Sequence, residues 1–454
     1  MKITPVLLAA GQGTRMQSDV PKVLHSLCGK PMVWHVLQAL KVATTETPVV
    51  IVGHGAQEVT NYLGDAAECA LQESQLGTAH AAMQAEPILR GKTDLVLVTY
   101  ADMPLLRGET FQRLVDTQRL NSGPFSLLTV IADDPRGFGR IVRTVDGTVE
   151  AIVEEYVATP EQREIKELNV GAYCFKADWL WDALHRIEKN PKKGEYYLTD
   201  IVELAVRDNL PVQAVVHDDF IETIGINTRV HLSEAEAALR TRINREHMLN
   251  GVSMMDPAST YIDAGVKIGR DSTIMPNTYI HGNTMIGEGN IIGPNAMIRD
   301  TTIGNGCKIL ASVLEGAILE DDVDMGPFAR LRQGAHLKSH VHMGNFGEVK
   351  DSTLHEGVKM GHFSYIGNAT IGARTNIGAG TITANYDGEK KNPTEIGEDV
   401  FIGSDTMLVA PLKLGDGART GAGAVVTKNV ADDTLVVGMP ARAIRKLERK
   451  PKDK

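Results

Sequence analysis

The sequence of 454 residues is poor in cysteine, in positive charge and in long apolar runs. Its four cysteines have neither the paired spacing of a disulfide framework nor the spacing of a zinc site, which fits the reducing cytoplasm. They are Cys28, Cys69, Cys174 and Cys307. The formal net charge of −10 argues against a general binder of nucleic acid. Any phosphate binding must therefore rest on a few individual cations.

No segment predicts stable membrane association. The apolar stretch at the start, MKITPVLLAAG, is too short to span a bilayer, and no signal peptide precedes it. The basic residues from 441 onward are interpreted as a solvated tail. With 43% hydrophobic and 23% charged residues, we expect a cytoplasmic globular protein, and its length predicts two or three domains.

Residues 1 to about 228 alternate apolar, strand-like runs with helical patterns. The runs ITPVLLAA, TPVVIVGH, TDLVLVTY and FSLLTVIA are bounded by turn residues or polar segments, whereas PMVWHVLQALKVA and GETFQRLVDTQRL have helical spacing. This alternation predicts an α/β domain with a mainly parallel, Rossmann-like sheet that is buried on both faces. Ligands of such sheets bind beyond the carboxyl ends of the strands. Residues 229–249 predict one connecting helix.

From about residue 250 the pattern changes to one aliphatic residue every six positions. The two series are Ile262, Ile268, Ile274, Ile280, Ile286, Ile292 and Ile298, and then Ile396, Ile402, Leu408 and Leu414. Period six fits neither a helix nor a flat amphipathic strand, but it is typical of a prism-shaped β-helix with one inward aliphatic per short strand. Gly and Asn would supply left-handed backbone at the corners. The predicted domains are 1–228, a helical linker at 229–249, and a β-helix at 250–454.

A glycine-rich segment, LAAGQGTRM, directly follows the first predicted strand, and Pro21-Lys22 come soon after it. Its glycines would let the backbone approach a phosphate, toward which the amides of the turn would point. Arg15 and Lys22 add the positive charge that a nucleoside triphosphate requires. Met16 stands where the dinucleotide-binding fingerprint needs a third glycine. A tight structural turn with surface cations is the alternative interpretation.

With Pro-Lys at this offset, the segment resembles that of the sugar-phosphate nucleotidyltransferase family. QESQLGTAH at 72–80 resembles the uracil-reading segment of N-acetylglucosamine-1-phosphate uridylyltransferases, and a Gln amide matches one edge of uracil. LVLVTYADMPL has Tyr100-Ala101-Asp102 where the family usually has Tyr-Gly-Asp, and a carboxylate after a buried strand is well placed for Mg²⁺. GFGRIV, IVEE, LNVGAY and GEYYLTD match the same family in order.

The resemblance implies that a sugar 1-phosphate attacks the α-phosphorus of UTP and that pyrophosphate leaves, a reaction that needs positioning and charge neutralisation. Lys22 and Arg15 would supply positive charge, and Asp102 and Asn227 would bind Mg²⁺. The residues implied for binding UDP-N-acetylglucosamine are Leu8, Ala9, Ala10, Gly11, Lys22, Gln72, Gly77, Thr78, Tyr100, Ala101, Asp102, Gly139, Glu154, Asn169 and Asn227.

The β-helix half has a polar set of its own. Arg332 and Lys350 are two cations that could clamp a sugar phosphate. The stretch ANYDGEKKNPTE breaks the six-residue period and predicts an inserted loop, a common kind of binding element. An amine that attacks a thioester must lose a proton, and His suits this role near neutral pH. His362 is therefore the candidate base.

This half resembles the acetyltransferase half of the bifunctional N-acetylglucosamine-1-phosphate uridyltransferase/glucosamine-1-phosphate acetyltransferase family, and the two resemblances together cover nearly the whole chain. The family packs three prisms as a homotrimer. It implies acetyl transfer from acetyl-CoA to glucosamine 1-phosphate, and then uridylyl transfer, to supply UDP-N-acetylglucosamine for peptidoglycan and lipopolysaccharide-type glycans.

The same resemblance implies roles for individual residues of the β-helix half. Some members have an arginine for the coenzyme phosphates where this chain has Met439, so Arg442, the nearest cation, is the candidate for that role. Glucosamine phosphate would contact Arg332, Lys350, Tyr365 and Asn376, and acetyl-CoA would contact Ala379, Asn385, Tyr386, Ser404 and Ala422.

Two other functions remain open at this point. In the first, the chain is a single-activity sugar-1-phosphate nucleotidyltransferase and its β-helix only assembles the oligomer. Release of thiol from acetyl-CoA with glucosamine 1-phosphate discriminates between this alternative and the bifunctional enzyme. In the second, the chain is a non-catalytic scaffold, which would leave LAAGQGTRM, Asp102 and Asn227 without an explanation.

Overall fold

The computed structural model describes residues 1–191 and 193–446. The chain folds as two compact units, of which the first is Met1–Leu239 and the second begins at Arg240. Within the described ranges, no helix has both the length and the apolar character needed to cross a membrane.

A nine-stranded sheet forms the centre of the first unit, and a short separate hairpin accompanies it. The strands are β1 (Ile3–Leu8), β2 (Ser26–Leu27), β3 (Lys30–Pro31), β4 (Val49–Val52), β5 (Glu68–Leu71), β6 (Leu95–Tyr100), β7 (Phe125–Ile131), β8 (Arg140–Arg143), β9 (Val149–Val153), β10 (Glu167–Lys176) and β11 (Val212–His217). In the large sheet the order is β11-β7-β10-β6-β1-β4-β5, and β8 pairs with both β10 and β9.

Helices cover both faces of this sheet, which confirms the predicted α/β class. They are α1 (Met32–Ala43), α2 (Ala56–Leu63), α3 (Thr78–Met83), α4 (Glu86–Leu89), α5 (Gly108–Leu120), α6 (Pro160–Arg163), α7 (Ala177–Leu184), α8 (Ile201–Arg207) and α9 (Arg229–Leu249), the last of which crosses the boundary between the units. Along β6, Val96 and Val98 belong to one buried cluster, whereas Leu95 and Leu97 belong to the other. This division follows because successive strand side chains point to opposite faces.

The sheet is mixed, and in this it differs from the mainly parallel sheet that the sequence predicts. The pairs β1–β4, β1–β6, β4–β5 and β7–β11 are parallel, but β10 runs antiparallel to both β6 and β7. The chain passes from β7 to β10 through the β8–β9 hairpin and α6, and not through the single crossover that joins parallel neighbours.

The second unit is a parallel left-handed β-helix whose three faces are three sheets of short strands. Face one contains β12 (Ser253–Met254), β15 (Thr273–Ile274), β18 (Ile291–Ile292), β21 (Lys308–Ile309), β24 (Asp324–Met325), β27 (His342–Met343), β30 (Lys359–Met360), β33 (Asn376–Ile377), β36 (Phe401–Ile402), β39 (Arg419–Thr420), β41 (Thr434–Val437) and the antiparallel β42 (Arg442–Lys446). Residues of the basic tail beyond 446 lie outside the described part.

The other two faces are built in the same way. Face two contains β13 (Thr260–Ile262), β16 (Thr278–His281), β19 (Met297–Arg299), β22 (Val313–Glu315), β25 (Arg330–Leu331), β28 (Gly347–Lys350), β31 (Ser364–Gly367), β34 (Ile382–Ala384), β37 (Met407–Val409) and β40 (Val425–Val426). Face three contains β14 (Lys267–Ile268), β17 (Met285–Ile286), β20 (Thr302–Ile303), β23 (Ile318–Leu319), β26 (Ala335–Leu337), β29 (Ser352–Leu354), β32 (Ala369–Ile371), β35 (Thr394–Ile396) and β38 (Leu412–Leu414).

The six-residue period is the repeat of these faces. Ile262 pairs with Ile280, and Ile280 with Ile298, so an isoleucine three periods later lies directly beside the first on the same face. The periodic aliphatics form one continuous core, in which Ile268 is only partly buried. At the corners, Asn277 and others adopt the left-handed backbone with φ near 56°. The predicted β-helix is confirmed in these strands.

Candidate active sites

A cavity of about 500 Å³ opens in the first unit where β1 and β6 end. This is the edge at which α/β sheets bind their ligands. It brings together segments that lie far apart in the sequence. Of the residues predicted to bind UDP-N-acetylglucosamine, it is lined by Leu8, Ala9, Ala10, Gly11, Lys22, Gln72, Gly77, Thr78, Tyr100, Asp102 and Asn227, and also by Arg15.

The glycine-rich segment packs tightly on the lysine that follows it. Gly13 has φ +64°, and a Cβ at this position would lie 2.7 Å from the Cβ of Lys22, so only glycine fits. Met16, where a dinucleotide site would have glycine, is buried and anchors the turn. Arg15 is exposed, and it has no ion pair among residues 1–191 and 193–446. The segment therefore presents one free cation to the cavity.

Two oxygens from distant parts of the chain converge on a single cation in this cavity. Nζ of Lys22 lies 2.6 Å from Oδ2 of Asp102 and 2.7 Å from Oδ1 of Asn227. The amide of Ile226 donates to the carbonyl of Asp102 at 2.9 Å, which holds the two segments side by side. Asp102 and Asn227 are thus close enough to share one ion.

Asp102 and Asn227 offer a carboxylate oxygen and an amide oxygen, which are ligands that a hard divalent cation accepts. Both oxygens already contact the positively charged ammonium group of Lys22. The described residues contain no cluster of three or more His, Cys, Asp or Glu side chains that could hold a metal ion. A metal at Asp102 and Asn227 would therefore complete its coordination with substrate oxygens or water, as Mg²⁺ commonly does.

Gln72 is buried and lines the same cavity, and its backbone amide donates to the carbonyl of Val52 at 2.8 Å. Its side-chain nitrogen donates to the carbonyl of Gly77 at 3.0 Å and contacts Nδ1 of His80 at 3.0 Å. Gln75, which the sequence analysis missed, also lines the cavity and donates to the carbonyl of Ala10 at 2.8 Å. A Gln that supports a glycine-rich turn has no sequence signal of its own.

Tyr100 connects the cavity to the residues predicted to bind the sugar. A Cβ on Gly171 would lie 2.5 Å from the ring of Tyr100, and the amide of Gly171 donates to the side chain of Asn169 at 3.2 Å. Burial raises the pKa of the Tyr100 phenol well above its usual range, and the carboxylate of Glu154 raises it further.

The remaining predicted residues of this half lie behind the cavity surface. Burial raises the pKa of Glu154, and a 3.0 Å hydrogen bond from Thr199 partly offsets this. Gly139 accepts a hydrogen bond from the backbone amide of Asn169 at 2.9 Å. Ala101 is fully buried, and its amide donates to Leu8 at 3.0 Å, so it supports the strand edge. None of these four residues is part of the cavity lining that the described residues form.

A second cluster of cations lies on face two of the β-helix. Leu331 pairs with Val349, and Lys350 pairs with Gly367, so Arg332, Lys350 and Gly367 occupy equivalent positions in successive coils. Arg332 also forms an ion pair of 3.0 Å with Glu348.

The inserted loop adds a third cation to this cluster. Lys391 lowers the pKa of Lys350, and Arg332 adds to this effect. Arg332 and Lys350 have carboxylate partners in Glu348 and Asp351, but three neighbouring cations still favour a further anion such as a phosphate. The sequence analysis missed Lys391, although the loop that breaks the six-residue period was a signal for it.

Tyr365 and Asn385 meet beside these cations. A Cβ on Gly367 would lie 2.5 Å from the hydroxyl of Tyr365 and 2.7 Å from Nδ2 of Asn385. Asn385 donates to the side chain of Asn368 at 2.7 Å. Tyr386 pairs with Lys391 in an isolated bridge that closes the inserted loop. Asn376 lies on face one, in β33, and not on face two with Tyr365.

A column of small residues follows His362 along one corner of the β-helix. The strand pairs Lys359–Asn376, Ile377–Ile402 and Phe401–Arg419 set the register, and each of the four residues follows its strand by two positions. His362 is exposed and has no hydrogen bond or ion pair within the described ranges. The column is His362, Ala379, Ser404 and Ala422. Arg442 is exposed on β42, and Met439 is also exposed.

Comparisons with known proteins agree with this division. The family model described as nucleotidyl transferase matches residues 4–231, and the bacterial transferase hexapeptide model matches residues 265–300 and 393–428. A relative named bifunctional protein GlmU from Geobacillus sp. (strain WCH70) is 47% identical over 441 residues, covering 97% of this chain and 96% of that protein. The chain belongs to the bifunctional GlmU family.

Other relatives support the same membership. Proteins of the same name from Geobacillus thermodenitrificans (strain NG80-2) and Streptococcus agalactiae serotype V (strain ATCC BAA-611 / 2603 V/R) are 47% and 43% identical. They are covered over 96% and 94% of their lengths, and this chain over 97% and 95%. Membership in the GlmU family confirms the bifunctional prediction, in which acetyltransferase and uridylyltransferase activities lead to UDP-N-acetylglucosamine.

GlmU membership also implies small-molecule substrates, and it suggests a general requirement for a divalent metal ion. The hexapeptide repeats indicate that the chain forms an oligomer.

Proposed function

We propose that UTP and N-acetylglucosamine 1-phosphate react in the cavity of the first unit, and that acetyl-CoA and glucosamine 1-phosphate react on the β-helix. The observation that carries the uridylyl assignment is the convergence of Asp102 and Asn227 on one cation beside the glycine-rich turn.

In the first site, Arg15, Lys22 and the amides of the glycine-rich turn bind the triphosphate. An oxygen of the sugar phosphate attacks the α-phosphorus, the bond to the β-phosphate oxygen breaks, and pyrophosphate leaves. The protein needs no nucleophile of its own, because positioning and charge neutralisation lower this barrier. Asp102 and Asn227 would hold Mg²⁺, which would neutralise the charge of the phosphates.

The sugar is proposed to bind beyond Tyr100. One carboxylate oxygen of Glu154 is proposed to contact the sugar there, while Thr199 fixes the other at 3.0 Å. Asn169 and Gly139 are linked through a backbone hydrogen bond, so the two segments can contact the sugar as one surface.

In the second site, His362 accepts a proton from the amine of glucosamine 1-phosphate. The amine nitrogen forms a bond to the thioester carbonyl carbon, the carbon–sulfur bond breaks, and coenzyme A leaves as the thiol. Arg332, Lys350 and Lys391 hold the phosphate of the sugar, and Tyr365 contacts the sugar beside them.

Acetyl-CoA is proposed to lie along the corner column that begins at His362. Ala379, Ser404 and Ala422 are small, so they leave space for an extended coenzyme with its thioester near His362. Asn385 and Tyr386 flank this path from the inserted loop, and Arg442 is proposed to bind a coenzyme phosphate.

A homotrimer is the proposed assembly. Five large apolar side chains on the β-helix strands are between 42% and 51% exposed, and packing against other prisms would cover them. They are Met285, Ile291, Met297, Ile318 and Phe401. UTP and acetyl-CoA are metabolites of the cytoplasm, so we propose a cytoplasmic location for the protein.

Two substitutions in the full chain test whether the sites are separate. Asp102→Ala should abolish pyrophosphate release from UTP and N-acetylglucosamine 1-phosphate, and it should leave thiol release from acetyl-CoA unchanged. His362→Ala should do the reverse. Asp116→Ala and His340→Ala, which change exposed residues elsewhere in the same units, are the matched controls and should retain both activities. Loss of both activities from either test substitution in folded protein contradicts the proposal.

A further inference from the structure

The side-chain amide of Gln72 has no free hydrogen-bond donor. An amide nitrogen carries two protons. One is donated to the carbonyl of Gly77 at 3.0 Å, and the other faces Nδ1 of His80 at 3.0 Å. The carbonyl of Gly77 can only accept, so this contact fixes which end of the amide is nitrogen.

The amide oxygen of Gln72 is left for the cavity. Within residues 1–191 and 193–446 it has no hydrogen-bond partner, and Gln72 lines the cavity. The side chain therefore presents a hydrogen-bond acceptor and no donor to a bound base. This differs from the sequence-based expectation that the amide presents both a donor and an acceptor to uracil. A buried amide in a fixed orientation discriminates strongly, because the wrong partner leaves a polar group unpaired.

His80 is the residue that fixes this orientation. In the tautomer with its ring proton on Nε2, His80 accepts from Gln72 through Nδ1. The ring is held on α3, where the amide of Ala79 donates to the carbonyl of Tyr196 at 2.9 Å. The side-chain nitrogen of Gln84 donates to the carbonyl of His80 at 2.8 Å and lies 3.4 Å from Nε2. The nitrogen of Gln72 lies closer to the ring, at 3.0 Å from Nδ1, so Nδ1 is the better-placed acceptor.

We propose that His80 determines base specificity by holding the oxygen of Gln72 toward the cavity, so that the site accepts a base with an N3–H group and rejects one without it. Uracil has this proton, whereas N3 of cytosine is itself an acceptor and would face the amide oxygen. His80 is a positioning residue that does not touch the base. This inference rests on the proposed binding of UTP in the cavity.

The test compares kcat/KM for UTP and CTP in pyrophosphate release with N-acetylglucosamine 1-phosphate. The wild-type chain should prefer UTP about 10²-fold, since CTP leaves the buried amide oxygen of Gln72 unpaired. His80→Leu removes the acceptor, so the amide of Gln72 can rotate and present its nitrogen to the base. The kcat/KM for CTP should then rise, and the UTP:CTP ratio of kcat/KM should fall at least about tenfold. His80→Asn is the matched control, because its side-chain oxygen can replace Nδ1, and it should restore the ratio.

Two further measurements keep the outcome decisive. His80→Ala serves as a second apolar variant if the leucine variant does not fold, and 3-methyl-UTP with wild-type protein tests the N3–H contact without any substitution. A ratio that stays at the wild-type value in the apolar variant overturns the role of His80, as does wild-type turnover of 3-methyl-UTP equal to that of UTP. A wild-type chain that is inactive with UTP would instead overturn the proposed function.

Discussion

Replacing Gly367 with alanine should disable the acetyl-transfer site without unfolding the β-helix. Gly367 lies in β31 with a backbone that other residues can adopt, since its φ is outside the left-handed range. The added Cβ would lie 2.5 Å from the hydroxyl of Tyr365, whereas ordinary contacts begin at 3.4 Å. Nδ2 of Asn385 would lie at 2.7 Å. The tip of Tyr365 must therefore move by about 0.9 Å.

A misplacement of about 1 Å costs about 10²-fold in rate, or about 2.7 kcal/mol of transition-state stabilisation. We expect Gly367→Ala to lower kcat/KM for glucosamine 1-phosphate by about this factor in thiol release from acetyl-CoA. Uridylyl transfer, measured as pyrophosphate release from the same preparation, should stay at the wild-type value.

A double-mutant cycle with Tyr365→Phe gives the decisive control. Tyr365→Phe deletes the hydroxyl that the new methyl group would meet, so part of the overlap disappears. If displacement of Tyr365 causes the loss, the cost of Gly367→Ala in this background should be smaller by at least about 1 kcal/mol. Additive free-energy costs of the two substitutions would refute the reasoning, as would an unchanged rate of acetyl transfer in Gly367→Ala alone.

Three other substitutions probe charges in the two units. Lys391→Ala removes one of three clustered cations, so KM for glucosamine 1-phosphate should rise about tenfold with little change in kcat; an unchanged KM would exclude Lys391 from the phosphate site. Lys22→Met removes the ammonium that competes for the oxygens of Asp102 and Asn227, so the free protein should bind Mn²⁺ about tenfold more tightly in EPR titrations, and equal affinity would argue against a shared site. Burial and neighbouring carboxylates raise the pKa of Asp200 to about 6, so its stabilising contribution is present below pH 4 and is lost as the pH rises through 6. Asp200→Asn should therefore raise the Tm at pH 8 and not at pH 4, and equal gains at both pH values would contradict this assignment.

The β-helix could be predicted from the sequence because its constraint is local. Each short strand contributes one inward aliphatic residue, so the period of the fold is also the period of Ile262, Ile280 and Ile298 in the chain. The antiparallel course of β10 could not be predicted in this way. Its buried residues resemble those of a parallel strand, and its direction depends on the path that the chain takes after β7.

The residues of the candidate sites also fall into two groups, those that the sequence identifies and those that only the structure identifies. Lys22 and Asp102 were found because each belongs to a contiguous motif. Lys391 and His80 could not be found in this way, because the role of each depends on one neighbouring side chain. Lys391 gains its role from Lys350, which is distant in the chain, and His80 from the orientation of an amide that the sequence does not specify.

The sequence by itself determined which chemical groups the two units carry, since turn glycines, aliphatic periods and the order of motifs are properties of short segments. Only the tertiary structure decided how those groups face one another. Hydrogen bonds reach about 3 Å, so the shared cation of Asp102 and Asn227, and the single acceptor that Gln72 presents, exist only after distant segments pack together.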